Sequence, residues 1–327
     1  MPAGGLRVGF QVWTQYVAWP ELMRMGREID ELGFDELWSN DHFVPTPFGG
    51  VGDAPDRGGP VFEGWATLFG WAGITRRARM GCLVSGAGYR NPTVLVKMAT
   101  ALDHATAGRA ALGLGAGWFE REHTAFGFAF PPLGARLDRL EEAASIARAL
   151  LDGETAEREG TWYEAHGGRN DPAPVQEHLP LVIGGSGEKR TLRIVARYAD
   201  VWNADGDDAA SFARRSGILD EHCRSVGRPP GSIERTVGLP PPCIRRSREE
   251  AVDALAVTFA ELAITREDAI RAAEASPFAG PAEVVVDLLR GYRAAGASAV
   301  MFDWPAPYDR ATLEAIAGPV RRALEAG

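Results

Sequence analysis

Lysine is nearly missing from this sequence: of 35 basic residues only Lys97 and Lys189 are lysines, the rest arginines. With so much alanine and glycine, this reads as GC-rich coding rather than chemistry. No basic block gathers, and 44 acidic residues leave a formal charge of −9, which excludes nucleic acid as the expected main partner. Cysteine is equally scarce. Cys82, Cys223 and Cys243 lie far apart with no C-x-x-C or Cys/His ligand spacing, which argues against a disulfide framework or a structural zinc. No apolar run approaches the roughly eighteen residues of a membrane span. The N-terminus, MPAGGLRVGF, lacks a charged segment followed by an apolar one. A cytoplasmic protein without membrane contact is expected. The hydrophobic and charged fractions, 45% and 24%, are ordinary globular values and exclude disorder.

What is present is alternation. Short apolar runs at 6–13, 36–41, 79–85, 109–115, 181–184, 200–203, 234–239 and 299–304 read as strands. Amphipathic patterns follow them at 20–32, 63–75, 91–105, 135–151, 188–198, 209–226, 249–274, 281–295 and 312–326. Most strands are apolar without strict alternation, as when both faces are buried. Eight strand-helix units predict an α/β fold: one closed (β/α)8 barrel, a TIM barrel, over residues 1–327. Two irregular insertions are expected: 44–61, rich in Gly and Pro and read as a lid, and 152–179.

In such a barrel, function sits where strands end and βα loops begin. The residues there are Gln11 and Trp13; Asn40, Asp41 and His42; Cys82, Leu83 and Ser85; Gly115, Gly117 and Trp118; Gly184, Gly185, Ser186, Gly187 and Glu188; Asn203 and Asp205; and Asp303 and Trp304. The set lacks the carboxylate pair of a glycosidase and a two-histidine metal cluster, so chemistry carried by an organic cofactor is expected. Gly184, Gly185, Ser186, Gly187 and Glu188 run from a strand into a predicted helix start. Glycines let backbone approach an anion, and first-turn N–H groups face it; the other use of such glycines is a tight turn needing positive φ. Gly113-Leu114-Gly115-Ala116-Gly117 is GxGxG rather than the dinucleotide GxGxxG, and suits a ring lying flat on backbone. Asp41-His42 fits an acid/base pair or cofactor contact, and equally a capping aspartate beside a half-buried histidine. Trp13, Trp118 and Trp304 are the tryptophans expected to wall an aromatic cofactor.

These stretches together resemble the luciferase-like monooxygenase superfamily, and within it the oxidoreductases dependent on the deazaflavin coenzyme F420. The matching residues are Gly33-Phe34-Asp35-Glu36-Leu37-Trp38 with Asn40-Asp41-His42, Tyr89-Arg90-Asn91-Pro92, Leu102-Asp103, Gly108-Arg109, Leu112 to Trp118, Ile183 to Glu188, and Arg197 to Asn203. They occur in family order over nearly two-thirds of the chain. The resemblance implies a barrel with a flavin-like ring at its C-terminal mouth and the cofactor's phosphate at Gly184 to Glu188. It also implies a non-proline cis peptide behind the ring, by position Cys82–Leu83. Asp41, Cys82, Leu83, Ser85, Gly115, Gly117 and the glycine loop would contact the cofactor, while His42, Asp41 and Trp13 would be catalytic, His42 orienting substrate or stabilising developing charge.

One position departs from the pattern. The sugar-phosphate dehydrogenases of this group carry a glutamate directly after the fourth strand's glycines; here that position is Trp118, with Glu120 and Glu122 nearby but offset. A pocket of tryptophans suits a planar or apolar electrophile such as an enone, imine or quinone. The expected function is hydride transfer between F420 and such a small molecule. The alternative is an FMN-dependent monooxygenase using oxygen. A cofactor carrier without turnover and a metal-dependent hydrolase are the other classes weighed. A homodimer is expected.

Overall fold

The computed structural model describes residues 5–46, 58–206, 208–262 and 264–326. Eight parallel strands form its centre: β1 (Arg7–Val12), β2 (Glu36–Ser39), β3 (Arg79–Cys82, resuming at Ser85–Gly86), β4 (Leu112–Gly115), β5 (Leu181–Gly184), β6 (Val201–Asp205), β7 (Glu234–Leu239) and β8 (Ala299–Trp304). Neighbours pair in chain order, and β8 returns to β1 with Arg7 opposite Ala299 and Val12 opposite Trp304. The ring closes between β3 and β4. Met80 N–H donates to Arg109 O and Ala111 N–H to Met80 O, both at 2.9 Å, and Ser85 pairs with Leu114. The expected (β/α)8 barrel is the observed fold.

Side chains alternate across a strand, so every second residue points inward. At the N-terminal end the inward residues are Arg7, Glu36, Arg79 and Glu234, which pair with one another. Arg79 binds Glu36 through Nη2 at 2.8 Å and Nε at 3.0 Å, and approaches Glu234 at 3.4 Å. Arg7 bonds Glu234 and lies 3.4 Å from Glu36. Above them come Trp38, Ala111, Val182, Val201, Ala299 and Met301, an apolar layer. Glycine is required beneath it: a Cβ on Gly9 would sit 2.2 Å from Glu36 Cβ, and one on Gly81 2.8 Å from the Trp38 ring. The next inward residues, Gln11, Leu83, Gly115, Gly184, Asn203, Gly238 and Asp303, form the floor of a cavity at the C-terminal end.

The helices cover the outside, their starts fixed by local chemistry. The Glu63 carboxylate accepts from Ala66 N–H to cap Gly64–Ala72, and Asn91 caps Pro92–Thr106 with proline in the first turn. Several expectations are corrected. The helix expected at 188–198 starts at Thr191, since 188–190 form a turn. The helical pattern at 249–274 is two helices, Arg248–Ala260 and Arg266–Ala275, the second capped by Thr265. The last helix begins at Arg310 and passes through a π turn over Ile316–Val320 around Pro319. The insertion 152–179 holds a β-hairpin, Ala156–Glu159 with Glu164–Gly168, whose turn amides at 161, 162 and 163 donate to the Glu142 carboxylate. Of the lid expected over 44–61, residues 47–57 lie outside the described ones. No helix among the described residues is long and apolar enough to cross a membrane.

Candidate active site

The cavity measures about 1020 Å³. Its shelf is built by β3, β4 and β5. After Cys82 the third strand turns through a non-proline cis peptide at Leu83–Val84, one residue beyond the expected Cys82–Leu83. The register explains the offset: Cys82 still pairs with Ser39, and Leu83 N–H still donates to Ser39 O at 2.9 Å. Val84 then lies against glycine backbone on two neighbouring strands. An added Cβ would come within 2.6 Å of it on Gly115 and 3.0 Å on Gly113 and Gly184. These glycines make room for Val84, whose side chain faces the cavity along with Leu83. Cys82 falls on the outward phase of the strand, and Ser85, beyond the interruption at 83–84, also lies outside the cavity lining. The Cys82 thiol meets Ser39 Oγ at 3.4 Å, and Ser85 Oγ accepts from Trp65 Nε1 at 2.9 Å; both are fully buried towards helix Gly64–Ala72, outside the cavity lining. Burial pushes the Cys82 thiol well up, so it stays a thiol. Trp304 is on the outward phase too, packed edge-on against Phe10 at 4.8 Å.

His42, just beyond β2, lines the cavity beside this shelf. Its Nδ1 lies 2.9 Å from Glu122 Oε1, and the same carboxylate accepts from Phe43 N–H at 3.0 Å and from the Tyr89 hydroxyl. Glu122 is fully buried. Burial raises its carboxyl, but bonds from His42, Tyr89 and the Phe43 amide outweigh this and hold it below the usual carboxylate range. Burial, with Glu122, drives the Tyr89 hydroxyl far up, so it remains a donor. The carboxylate beside Nδ1 places the ring N–H there and turns Nε2 to the cavity. Trp118, 58% exposed at the rim, and Phe119 stack at 5.1 Å, and Trp118 meets the His42 ring edge-on at 5.8 Å. Glu122 comes from a short helix, Glu120–Ala125, four residues past the position where the resemblance placed a glutamate.

Asp41 is not free for proton transfer. Its buried carboxylate takes a two-pronged grip from Arg90, at 2.6 and 3.0 Å, and Arg90 also bonds Glu63. Asp41 therefore positions Arg90 and the loop that carries His42. Trp13 lines the cavity and donates from Nε1 to Asp303 Oδ1 at 3.2 Å.

The glycine loop forms the far end. Gly184, Gly185 and Gly187 line the cavity with Thr191. Ser186 Oγ accepts from Asp205 N–H at 3.0 Å, and Glu188 turns away to Arg214 at 2.8 Å. Neither Lys189 nor Arg190 lines this end; the cation in the wall is Arg136, which sequence reasoning missed. Its guanidinium covers Phe130 at 4.1 Å and donates to Pro131 O and Gly117 O. Arg190 binds Gly134 O at 2.9 Å, tying the start of Arg136's helix to the loop. Asn203, 4% exposed, accepts from Thr236 at 2.9 Å while its amide nitrogen has no protein partner among the described residues. A shelf beside Val84, a donor at Asn203 and an arginine by a glycine loop fit a planar ring with an anionic tail. Among the described residues, no group of three or more His, Cys, Asp or Glu is placed to hold a metal.

The fold is a (β/α)8 barrel with a cavity at the C-terminal ends of its strands. The luciferase-like monooxygenase profile matches residues 6–303, and the chain belongs to that family. It is 30% identical to the phthiodiolone/phenolphthiodiolone dimycocerosates ketoreductase of Mycobacterium tuberculosis over 291 residues, 81% of this chain and 73% of that protein. An uncharacterised protein of the same species is 32% identical over 155 residues, 46% of this chain and about half, 54%, of the relative. Among solved structures, an F420-dependent secondary alcohol dehydrogenase with an F420–acetone adduct superposes at TM-score 0.79, 16% identity, covering 98% of this chain and 99% of that one. The FMN-bound oxygenating component of 3,6-diketocamphane monooxygenase from Pseudomonas putida superposes at 0.72, 14% identity, covering 97% and 98%. Such distant likenesses establish the fold, and cofactors of both kinds occur on it.

Proposed function

We propose that the chain is an oxidoreductase that uses F420 to reduce the carbonyl or conjugated double bond of a planar, apolar molecule. The observation that carries this is His42, fixed by Glu122 and lining a cavity whose rim carries Trp118, stacked on Phe119. Bound reduced deazaflavin would supply a hydride to the substrate carbon. Reduction then leaves negative charge on the substrate oxygen, and His42 Nε2 is the group on hand to deliver the balancing proton. Glu122 keeps the imidazole oriented and compensates its charge. Leu83, Val84, Gly115 and Gly184 would carry the ring, Asn203 would bond its polar edge, and Gly185, Gly187 and Arg136 would hold the anionic tail. The ketoreductase likeness supports carbonyl reduction. No carboxylate lies directly after the fourth strand's glycines, where the sugar-phosphate enzymes have theirs, and the aromatic rim favours an uncharged substrate.

Difference spectra of the purified chain with oxidised F420 and with FMN test the assignment. Micromolar binding of F420, followed by its consumption in reduced form with menadione or cyclohex-2-enone, is expected. Tight FMN binding with none of F420 would overturn it in favour of the oxygen-using monooxygenase.

A further inference from the structure

We propose that Asp303 is a substrate-selecting acid, a carboxyl group that donates a hydrogen bond to the substrate's acceptor oxygen from the wall formed by β8 and β1. The inference rests on the carbonyl-type substrate argued above and adds a second donor beside His42.

Ala299 and Met301 lie in the apolar layer, and two residues further Asp303 emerges in the cavity wall beside its register partner Gln11. Its Oδ1 accepts from Trp13 Nε1 at 3.2 Å, and Trp13 is itself held, its carbonyl accepting from Tyr308 at 3.1 Å. Trp13 also packs with Leu255 and Phe259 of the helix pair that follows β7. That indole fixes the carboxyl group and leaves the second oxygen for the cavity. No ion pair engages Asp303 among the described residues, whereas Asp41 has Arg90. The titratable groups acting on it are Asp205 at the end of β6 and His42 beyond β2; Gln11 and Trp13 carry no charge. Burial raises its carboxyl to about 7, against the Trp13 hydrogen bond and His42 and with help from Asp205. A carboxylic acid kept neutral by its surroundings is an effective donor to a developing oxyanion. Trp13, expected to be catalytic, becomes a positioning residue for this acid.

The test uses the full chain without cofactor, so that it stands even if F420 does not bind. The indole N–H resonance of Trp13, assigned with Trp13→Phe, is followed against pH; a midpoint near 7 that vanishes in Asp303→Asn is expected. Cyclohex-2-enone binding is then measured at about pH 6 and about pH 8. The wild type should bind about fivefold more tightly at the lower pH, the worth of one hydrogen bond. Asp303→Asn, whose amide always donates, should hold the tighter value at both. A Trp13 midpoint in the ordinary carboxylate range would overturn the proposal, and this reading needs no folded Asp303→Asn. So would enone binding whose pH dependence survives unchanged in Asp303→Asn, since the proton would then belong to His42.

Discussion

At the N-terminal end of the barrel, Arg7, Glu36, Arg79 and Glu234 point at one another. At the other end of the barrel, Gln11, Asn203 and Asp303 face a cavity. Both ends follow one alternation on one set of strands, yet they use polar groups in opposite ways. Below, charges neutralise each other, and their partners are protein. Above, Asp41 is consumed by Arg90, while His42 Nε2, Asn203 Nδ2 and one oxygen of Asp303 are held in place by a partner on one side and open on the other. A polar residue anchored on one side and open on the other is prepared for a ligand; one whose partners are all protein is part of the frame.

The largest effect is expected at the lower end. Glu36→Ala leaves two guanidinium groups without their shared carboxylate and should cost about 3–5 kcal/mol of stability by urea unfolding. At the upper end, His42→Ala should lower turnover about a hundredfold while stability falls by only about 1 kcal/mol and cofactor affinity holds. If the two substitutions had interchangeable effects, the contrast between frame and site would be lost. Arg136→Ala should weaken F420 about tenfold, a charge-assisted hydrogen bond, yet leave a deazaflavin lacking the phosphate tail unaffected by calorimetry. The smallest effect concerns pH. Glu122 is held below the usual carboxylate range in the folded chain, so it stabilises the fold fully at neutral pH. That contribution is lost as pH falls through its folded value. Glu122→Gln should flatten this part of the acid-unfolding curve.

The eight strands were legible because each is short, apolar and followed by a helix, and β5, β7 and β8 kept their expected ends or nearly so: 181–184, 234–239 and 299–304. His42 and Trp13 were legible as strand-end residues. Cys82 and Trp304 were misplaced because a strand end says nothing about phase, and the period of two turns those side chains outward; Ser85 was misplaced because β3 is interrupted at 83–84, so the alternation does not carry across to it. Marking Gln11 and Trp13 inward and counting by twos through each paired strand would have separated Asp303 from Trp304. Glu122 and Arg136 were beyond such counting. Both come from helices past β4: Arg136 lines the cavity, and only the folded loop brings Glu122 behind a histidine 80 positions earlier.

The most direct measurement is a crystal structure of the chain soaked with oxidised F420. The account expects the ring in van der Waals contact with Val84, its tail between Gly185, Gly187 and Arg136, and open space between the ring and His42 and Asp303. A ring bound elsewhere, or a tail directed towards Asp303, would contradict it.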